Sequence, residues 1–179
     1  MQTDNIKKNS QSGFSDKAPD YLTYTYDFIA FQVEVVLERE CILQKQVRLV
    51  DDKEAKWCDS VRTQVGDTVE FQIQYINSSG STQKVSILED LPPCFEYVKS
   101  DAFLYSPGTP EGKPISSSAI VTSGSMEIDG YAPEESVMIY YTAKVIDYPP
   151  KDQQNLAWVW TEVQAGSKVL QNYAEVIIE

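Results

Sequence analysis

The chain has 179 residues and contains no histidine. Histidine is the side chain most often used as a general base near neutral pH, and it is a common ligand of zinc and iron. An enzyme without it would depend on a pair of carboxylates, as in glycosidases. The candidates for such a pair are Glu89, Asp90, Glu127 and Asp129. Because no nucleophile motif accompanies them, we expect no enzyme, no metal site and no cofactor.

Positive charge is also scarce, since 15 Lys and Arg stand against 27 Asp and Glu, for a net charge of −12. Nucleic acids and anionic membrane surfaces are bound by concentrated Lys and Arg, so neither is an expected partner. No apolar run reaches the length of a membrane span, and residues 1–8 lack the apolar core of a signal peptide. We expect either an excised piece or a chain that reaches its site without conventional secretion.

Cysteine occurs three times, at Cys41, Cys58 and Cys94, with no Cys-x-x-Cys spacing. An odd number leaves at least one thiol unpaired within a chain. Cys58 and Cys94 lie in turn-like sequence, which favours exposed thiols and disulfides in an oxidising setting. The sequence leaves three alternatives open: bonds between subunits, one internal bond with a spare thiol, or three reduced thiols.

What the sequence does contain is apolar and polar residues in strict alternation. Val69, Phe71, Ile73 and Tyr75 alternate with one Glu and two Gln, which predicts a strand with one buried face. Turn residues stand on both sides of this segment. Strands of this kind recur along the chain, and we predict them at residues 42–50, 67–76, 83–89, 95–99, 102–105, 119–128, 136–146, 155–164 and 169–178.

Short strands separated by turn signals, with no convincing helix, are typical of an all-β antiparallel sandwich with Greek-key-like connections. We assign this domain to residues 42–179, after a polar tail of residues 1–20.

Residues 21–41 form a third segment, an apolar arm that favours β-structure. Its apolar residues change parity near Ile29, which predicts a bulge, a bend or two short strands. An unpaired arm of this kind would aggregate, so it has to pair with its own sheet or with another chain. The residues expected to mediate assembly are Tyr24, Tyr26, Phe28, Phe31, Val33 and Val35.

Within the domain, several short segments match the pattern of a known protein family in their order. They are Gln44–Arg48, Trp57, Ser60-Val61, Gly66–Phe71, Asn77, Val85–Pro92, Phe95–Val98, Tyr141–Val145 and Asn155–Ala157. In order and spacing they resemble the domain of unknown function 11 family, the conserved repeat of bacterial surface antigens, over residues 43–179. One departure is Glu89, where the family usually has aspartate.

This resemblance implies an immunoglobulin-like or prealbumin-like sandwich in a secreted or surface-displayed assembly. It also implies a structural rather than a catalytic protein, located outside the cell on a cell or spore surface. Deposition on a spore by the mother cell would require no signal peptide.

Strand parity places Lys45, Glu89 and Asn155 on the core side of three different strands. Buried charges of this kind need one another. A lysine, an acid and an asparagine in an apolar pocket are the arrangement of self-forming isopeptide bonds in Gram-positive surface proteins, with Lys45 as nucleophile and Asn172 as a rival to Asn155. The alternative is a Lys45 that reaches water at an edge, beside a Glu89 and an Asn155 that satisfy local turns.

These observations predict a self-assembling structural module, a homo-oligomer or filament in which the arm adds a strand to a neighbouring copy. The alternative is a monomeric adhesive, ligand-binding or spacer domain. Aromatic residues could form a binding surface in that case, although Trp158 and Trp160 could equally pack under the arm. The aromatic residues considered for such a surface are Tyr105, Tyr131, Tyr148, Trp158 and Trp160.

Overall fold

The computed structural model describes residues 21–26, 29–34, 40–52, 54–115, 125–153 and 155–179, and at residues 21–26, 29–34, 99, 100 and 152 it describes the backbone alone. Two compact units divide the chain, Met1–Glu38 and Arg39–Glu179.

The first unit contains an antiparallel hairpin of β1 (Tyr21–Tyr26) and β2 (Ile29–Glu34). Tyr26 pairs with Ile29 and Tyr21 pairs with Glu34. The parity change near Ile29 therefore marks the start of a second short strand, one of the predicted alternatives. Phe28, Val35 and the tail of residues 1–20 lie outside the described residues.

The second unit is a β-sandwich, as predicted, of two five-stranded sheets. The order of strands is β3-β5-β10-β7-β8 in the first sheet and β4-β12-β11-β6-β9 in the second. Neighbouring strands are antiparallel except β4 and β12. The strands are β3 (Ile42–Leu49), β4 (Ser60–Thr63), β5 (Thr68–Ile76), β6 (Gln83–Asp90), β7 (Phe95–Ser106), β8 (Thr109–Pro114), β9 (Met126–Tyr131), β10 (Ser136–Val145), β11 (Leu156–Ala165) and β12 (Lys168–Ile178).

The core lies between the sheets and follows from the alternation in the sequence. Val69, Phe71, Ile73 and Tyr75 of β5 are fully buried. Each large apolar side chain removed from water contributes about 1.5–3 kcal/mol before the entropy of ordering is subtracted. β10, β11 and the end of β12 repeat the pattern, so the two inner faces form one continuous apolar layer.

The structure differs from the predicted strands at three places. β7 is one strand over residues 95–106, because a register shift against β10 carries the pairing past the polar residues at 99–101. β4 and β8 were not predicted, since they are short edge strands rich in polar residues, glycine or proline. β9 ends at Tyr131, three residues beyond the predicted end at 128, and residues 119–124 of that predicted strand lie outside the described residues.

Asn77 anchors the turn between β5 and β6. It is fully buried, and its amide nitrogen donates hydrogen bonds to the carbonyls of Ser81 at 2.9 Å and Tyr131 at 2.7 Å. Its carbonyl oxygen accepts from the backbone N–H of Ser79 at 3.0 Å. One side chain thus joins the turn to the end of β9.

Substituting Asn77→Ala is expected to lower the free energy of unfolding by about 2–4 kcal/mol, because buried backbone groups lose their partners. Denaturant titration measures the change. The matched control is Asn155→Gly, at an exposed position with φ 63°, where we expect a change within about 0.5 kcal/mol. Equal stabilities for the two variants would contradict the assigned role of Asn77.

Candidate functional site: a buried lysine and glutamate between the sheets

Lys45 lies in the interior of the sandwich, with 1% of its surface exposed. It belongs to β3, where it alternates with outward-facing glutamines and shares its face with Val47. β3 is at one end of the first sheet, but Lys45 does not reach water there. The alternative in which this side chain extends to solvent is therefore wrong.

Glu89 reaches the same place from the second sheet and is 2% exposed. It stands on β6 directly opposite Thr161 of β11, and Thr161 stands opposite Asn172 of β12. Directly opposed residues share a face of a sheet, so these three side chains form one row toward the interior.

The two charged groups are in direct contact. The Lys45 ammonium donates to Glu89 Oε1, to Thr161 Oγ1 at 2.8 Å and to Tyr141 OH at 3.3 Å. Glu89 also accepts from the Tyr141 hydroxyl and, through Oε2, from Thr161 Oγ1 at 2.5 Å. All three ammonium protons and both carboxylate oxygens therefore have partners, which is what burial of a charge pair requires.

Aromatic rings form the walls of this site. Lys45 Nζ lies 5.1 Å from the centroid of the Phe71 ring and 5.6 Å from that of Tyr141, distances at which a ring attracts a cation. Burial in these apolar surroundings lowers the pKa of the Lys45 amine, against the opposing effect of the adjacent Glu89. Burial likewise raises the pKa of Tyr141 well above its usual range, so this hydroxyl stays a donor.

The structure does not bring Asn155 to the site. Asn155 is exposed in the turn before β11, and its parity fails as a guide because the chain there adopts a left-handed conformation with φ 63°. Thr161 follows six residues later, a separation of about 20 Å along an extended strand. The predicted core-facing position of Asn155 is wrong.

Asn172, the rival candidate, lies in the row of Glu89 and Thr161. Its amide nitrogen crosses between the sheets and donates to the carbonyl of Leu43 at 2.9 Å, two residues before Lys45. Its carbonyl oxygen accepts from the backbone N–H of Tyr173 at 2.7 Å. The structure thus places Asn172 toward the strand that carries Lys45.

All three cysteines are free thiols. Cys58 is exposed, whereas Cys41 and Cys94 are buried. The predicted exposure of Cys94 is wrong, because the turn after Pro92-Pro93 folds inward and the Cys94 carbonyl accepts from the backbone N–H of Ile146 at 2.9 Å. Burial also raises the pKa of the Cys94 thiol. Within a chain no bond joins these residues, and a link between chains through Cys58 stays a prediction.

Native protein treated with an alkylating agent is expected to be modified once, at Cys58, because the buried thiols are shielded and Cys94 also resists ionisation. After denaturation all three thiols should react. Intact mass before and after denaturation counts the modifications, and Cys58→Ser is the control that should abolish the native one. Rapid native modification of Cys94 would contradict its burial.

The other candidate residues are dispersed. Glu89 faces the interior and Asp90 faces solvent, so these two carboxylates do not act on one bound molecule. Glu127 and Asp129 lie on β9 beside a cleft of about 590 Å³. Within the described ranges, no group of three or more Cys, Asp and Glu could hold a metal ion, and no helix is long and apolar enough to cross a membrane.

The aromatic residues predicted for a binding surface differ in their exposure. Tyr131 is buried at 3% exposure and is not a surface residue, because it packs against Tyr75 across the core. Trp158, Trp160 and Tyr148 are exposed, and Tyr105 is half-buried.

A further cluster, which sequence patterns did not predict, lies on the outer face of the first sheet. The Arg48 guanidinium lies 4.4 Å from the centroid of the Trp57 ring, and its Nη2 lies 2.5 Å from Glu70 Oε2. Arg48 and Glu70 are directly opposed on β3 and β5, a pairing that depends on register.

Comparison of the sequence with models of protein families gives no match, and comparison with curated proteins gives none either. The resemblance to the domain of unknown function 11 family therefore stays a prediction.

Solved structures do match the fold at low similarity. A pilus backbone protein from Streptococcus pneumoniae has a TM-score of 0.48 and 14% identity, over 72% of this chain and 32% of that one. A family 123 glycoside hydrolase from Clostridium perfringens has a TM-score of 0.39 and 12% identity, over 77% of this chain and 27% of that one. The collagen-binding subdomain of an Enterococcus faecalis surface protein has a TM-score of 0.40 and 13% identity, over 63% of this chain and 87% of that one.

This chain spans about a third or less of the first two matched chains. All three TM-scores are below 0.5, so we draw no functional argument from these matches.

Proposed function

We propose that the chain is a structural module of a bacterial surface assembly, and that its sandwich is closed by a covalent bond between Lys45 and Asn172. The observation that carries this proposal is the fully buried contact of Lys45 with Glu89 between the two sheets. The resemblance of residues 43–179 to a repeat of bacterial surface antigens is consistent with the same setting.

The site suits attack by an amine on an amide. Lowering of the Lys45 pKa by burial favours the neutral, nucleophilic amine. Glu89 contacts the ammonium directly and is therefore placed to accept its proton. The Tyr173 N–H donates to the Asn172 carbonyl oxygen at 2.7 Å, where negative charge develops during attack.

The step balances without any other reactant. Lys45 passes a proton to Glu89, and its neutral Nζ attacks Cγ of Asn172. The Nζ–Cγ bond forms and the Cγ–Nδ2 bond breaks. Glu89 delivers this proton to Nδ2, which departs as ammonia, and then accepts the second proton that Nζ loses as the amide forms. The product is an amide between two side chains, formed once per molecule, so the reaction is a maturation step and not enzymatic turnover.

The position of this bond in the fold supports a mechanical role. Lys45 is on β3, the first strand of the sandwich, and Asn172 is on β12, the last. A covalent link between them bypasses nearly the whole domain. Tension applied through the two ends of the unit would then pass along the link and leave the intervening strands unloaded.

Denatured full-length protein is expected to have a mass one ammonia below that of the sequence. The matched pair of variants is Asn172→Ala, which should retain the full mass, and Asn155→Ala, which should still lose ammonia. Peptide mapping should locate the branch between Lys45 and Asn172. Because Glu89→Ala removes the proton acceptor, it should also retain the full mass.

A mature protein of full mass, with circular dichroism that shows it folded, would overturn the cross-link. Loss of ammonia that persists in Asn172→Ala and disappears in Asn155→Ala would assign the bond to the exposed asparagine instead.

Assembly through the arm is the second part of the proposal. A two-stranded hairpin leaves a row of unpaired backbone groups on each side. In the sandwich, edge strand β8 is protected by Pro110 and Pro114, whereas edge strand β9 has no proline. We assign β9 of a neighbouring copy as the edge to which the hairpin adds, which would build a fibre on a cell or spore surface.

Full-length protein is expected to form oligomers whose size rises with concentration, and a chain that begins at Arg39 should stay monomeric, because it lacks the hairpin. Light scattering after gel filtration measures both. Asp129→Pro gives β9 the proline that it lacks and should reduce assembly of the full-length chain, whereas Glu111→Pro on β8 should not. A full-length chain that stays monomeric at high concentration would contradict assembly by the arm.

A further inference from the structure

The outer face of the second sheet carries exposed aromatic and apolar residues. Trp160 is 42% exposed, Tyr173 39%, Trp158 38% and Leu88 37%. The solvent face of an antiparallel sheet is ordinarily polar. Contiguous exposed apolar side chains on such a face are typical of a binding surface.

Strand register brings these residues together. Asp90, Trp160 and Tyr173 form one row across β6, β11 and β12, and Leu88, Glu162 and Gln171 form the next. The rings of Trp160 and Tyr173 pack with their centroids 4.6 Å apart. The two rows enclose a shallow depression of about 360 Å³. We call these two rows the aromatic face.

The charges on the aromatic face have one sign. Asp90 is exposed, and in the described part of the chain no hydrogen bond or ion pair engages its carboxylate. Among the described residues, Glu162 accepts from the uncharged Gln171 amide alone, at 2.8 Å. Outward-facing cations of this sheet lie away from both rows: Arg62 on edge strand β4 is paired with Glu179, and Lys84 stands opposite Gly130.

On the first sheet, an indole and a carboxylate together bind an arginine side chain. On its outer face, Trp57 carries the Arg48 guanidinium over its ring, and Glu70 pairs with the same guanidinium. The aromatic face has the corresponding indole in Trp160 and carboxylate in Asp90, and no cation from the described residues lies between them. On the first sheet, Arg48 of the same chain supplies the cation. On the second sheet, Trp160 and Asp90 are available to a cation from a partner.

We propose that the aromatic face binds a basic segment of a partner protein, with an arginine side chain over the Trp160 ring and paired with Asp90. Arginine fits better than lysine, because its planar guanidinium stacks on a ring and donates to a carboxylate in a fixed fork. The charge of the face complements such a segment, and the depression beside Trp160 accommodates its side chain. This proposal does not depend on the cross-link or on the arm.

The test is calorimetric titration of the full-length protein with an acetylated and amidated tetra-arginine peptide in 0.15 M salt. Long-range attraction between exposed charges is largely screened there, so contact at the aromatic face decides the affinity. Trp160→Leu keeps apolar area but removes the ring, and we expect it to weaken binding about tenfold. Asp90→Asn should weaken binding several-fold.

The matched control is Glu111→Gln, which removes the same charge from exposed β8 of the other sheet. It should change the affinity less than about twofold. Tetra-lysine should bind more weakly than tetra-arginine.

Equal weakening by Glu111→Gln and Asp90→Asn would overturn the proposal, because net charge alone would then attract the peptide. Unchanged affinity in Trp160→Leu would overturn it as well. Binding of an uncharged oligosaccharide in place of the peptide, lost in Trp160→Leu, would assign the face to a glycan and would also overturn it.

Discussion

The constraint on which the rest of the structure depends is the burial of one cation and one anion between two apolar sheets. Either charge left alone in this interior would cost several kcal/mol. Lys45 and Glu89 come from different sheets, and Tyr141 and Thr161 complete their hydrogen bonds from two further strands. A slip of one residue in any of these four strands would turn its polar group to the wrong face, so the site fixes the register of both sheets.

The same energetics bear on function. A buried ion pair is weak evidence for stability, because well-packed apolar residues of similar volume often serve as well or better. The proposed cross-link would therefore give Lys45 and Glu89 a role in the core in addition to fixing register. The row that continues from Glu89 through Thr161 ends at Asn172, the side chain proposed as the acceptor. Stability would then come from the product of the site rather than from the ion pair.

The long central strands could be predicted from the sequence, because their alternation is uninterrupted, and so could the inward position of Lys45 and Glu89. The prediction failed for Asn155, where parity was extended past the end of a strand into a left-handed residue. The position of Asn172 depends on the register of three paired strands, and the sequence of a single strand does not determine that register. Cys94 and Tyr131 were misplaced because turn sequence predicts local conformation and not whether the turn folds over the core.

Two adjacent residues of β12 connect the interior of the domain with its outer surface. Asn172 points between the sheets, and Tyr173 beside it points outward against Trp160. The two are also joined directly, because the Tyr173 N–H donates to the Asn172 carbonyl oxygen. Formation of the proposed amide would keep that oxygen in place and fix the backbone at both residues. The proposed reaction would therefore also order one side of the aromatic face, which would reduce the conformational entropy that this face loses when a partner binds.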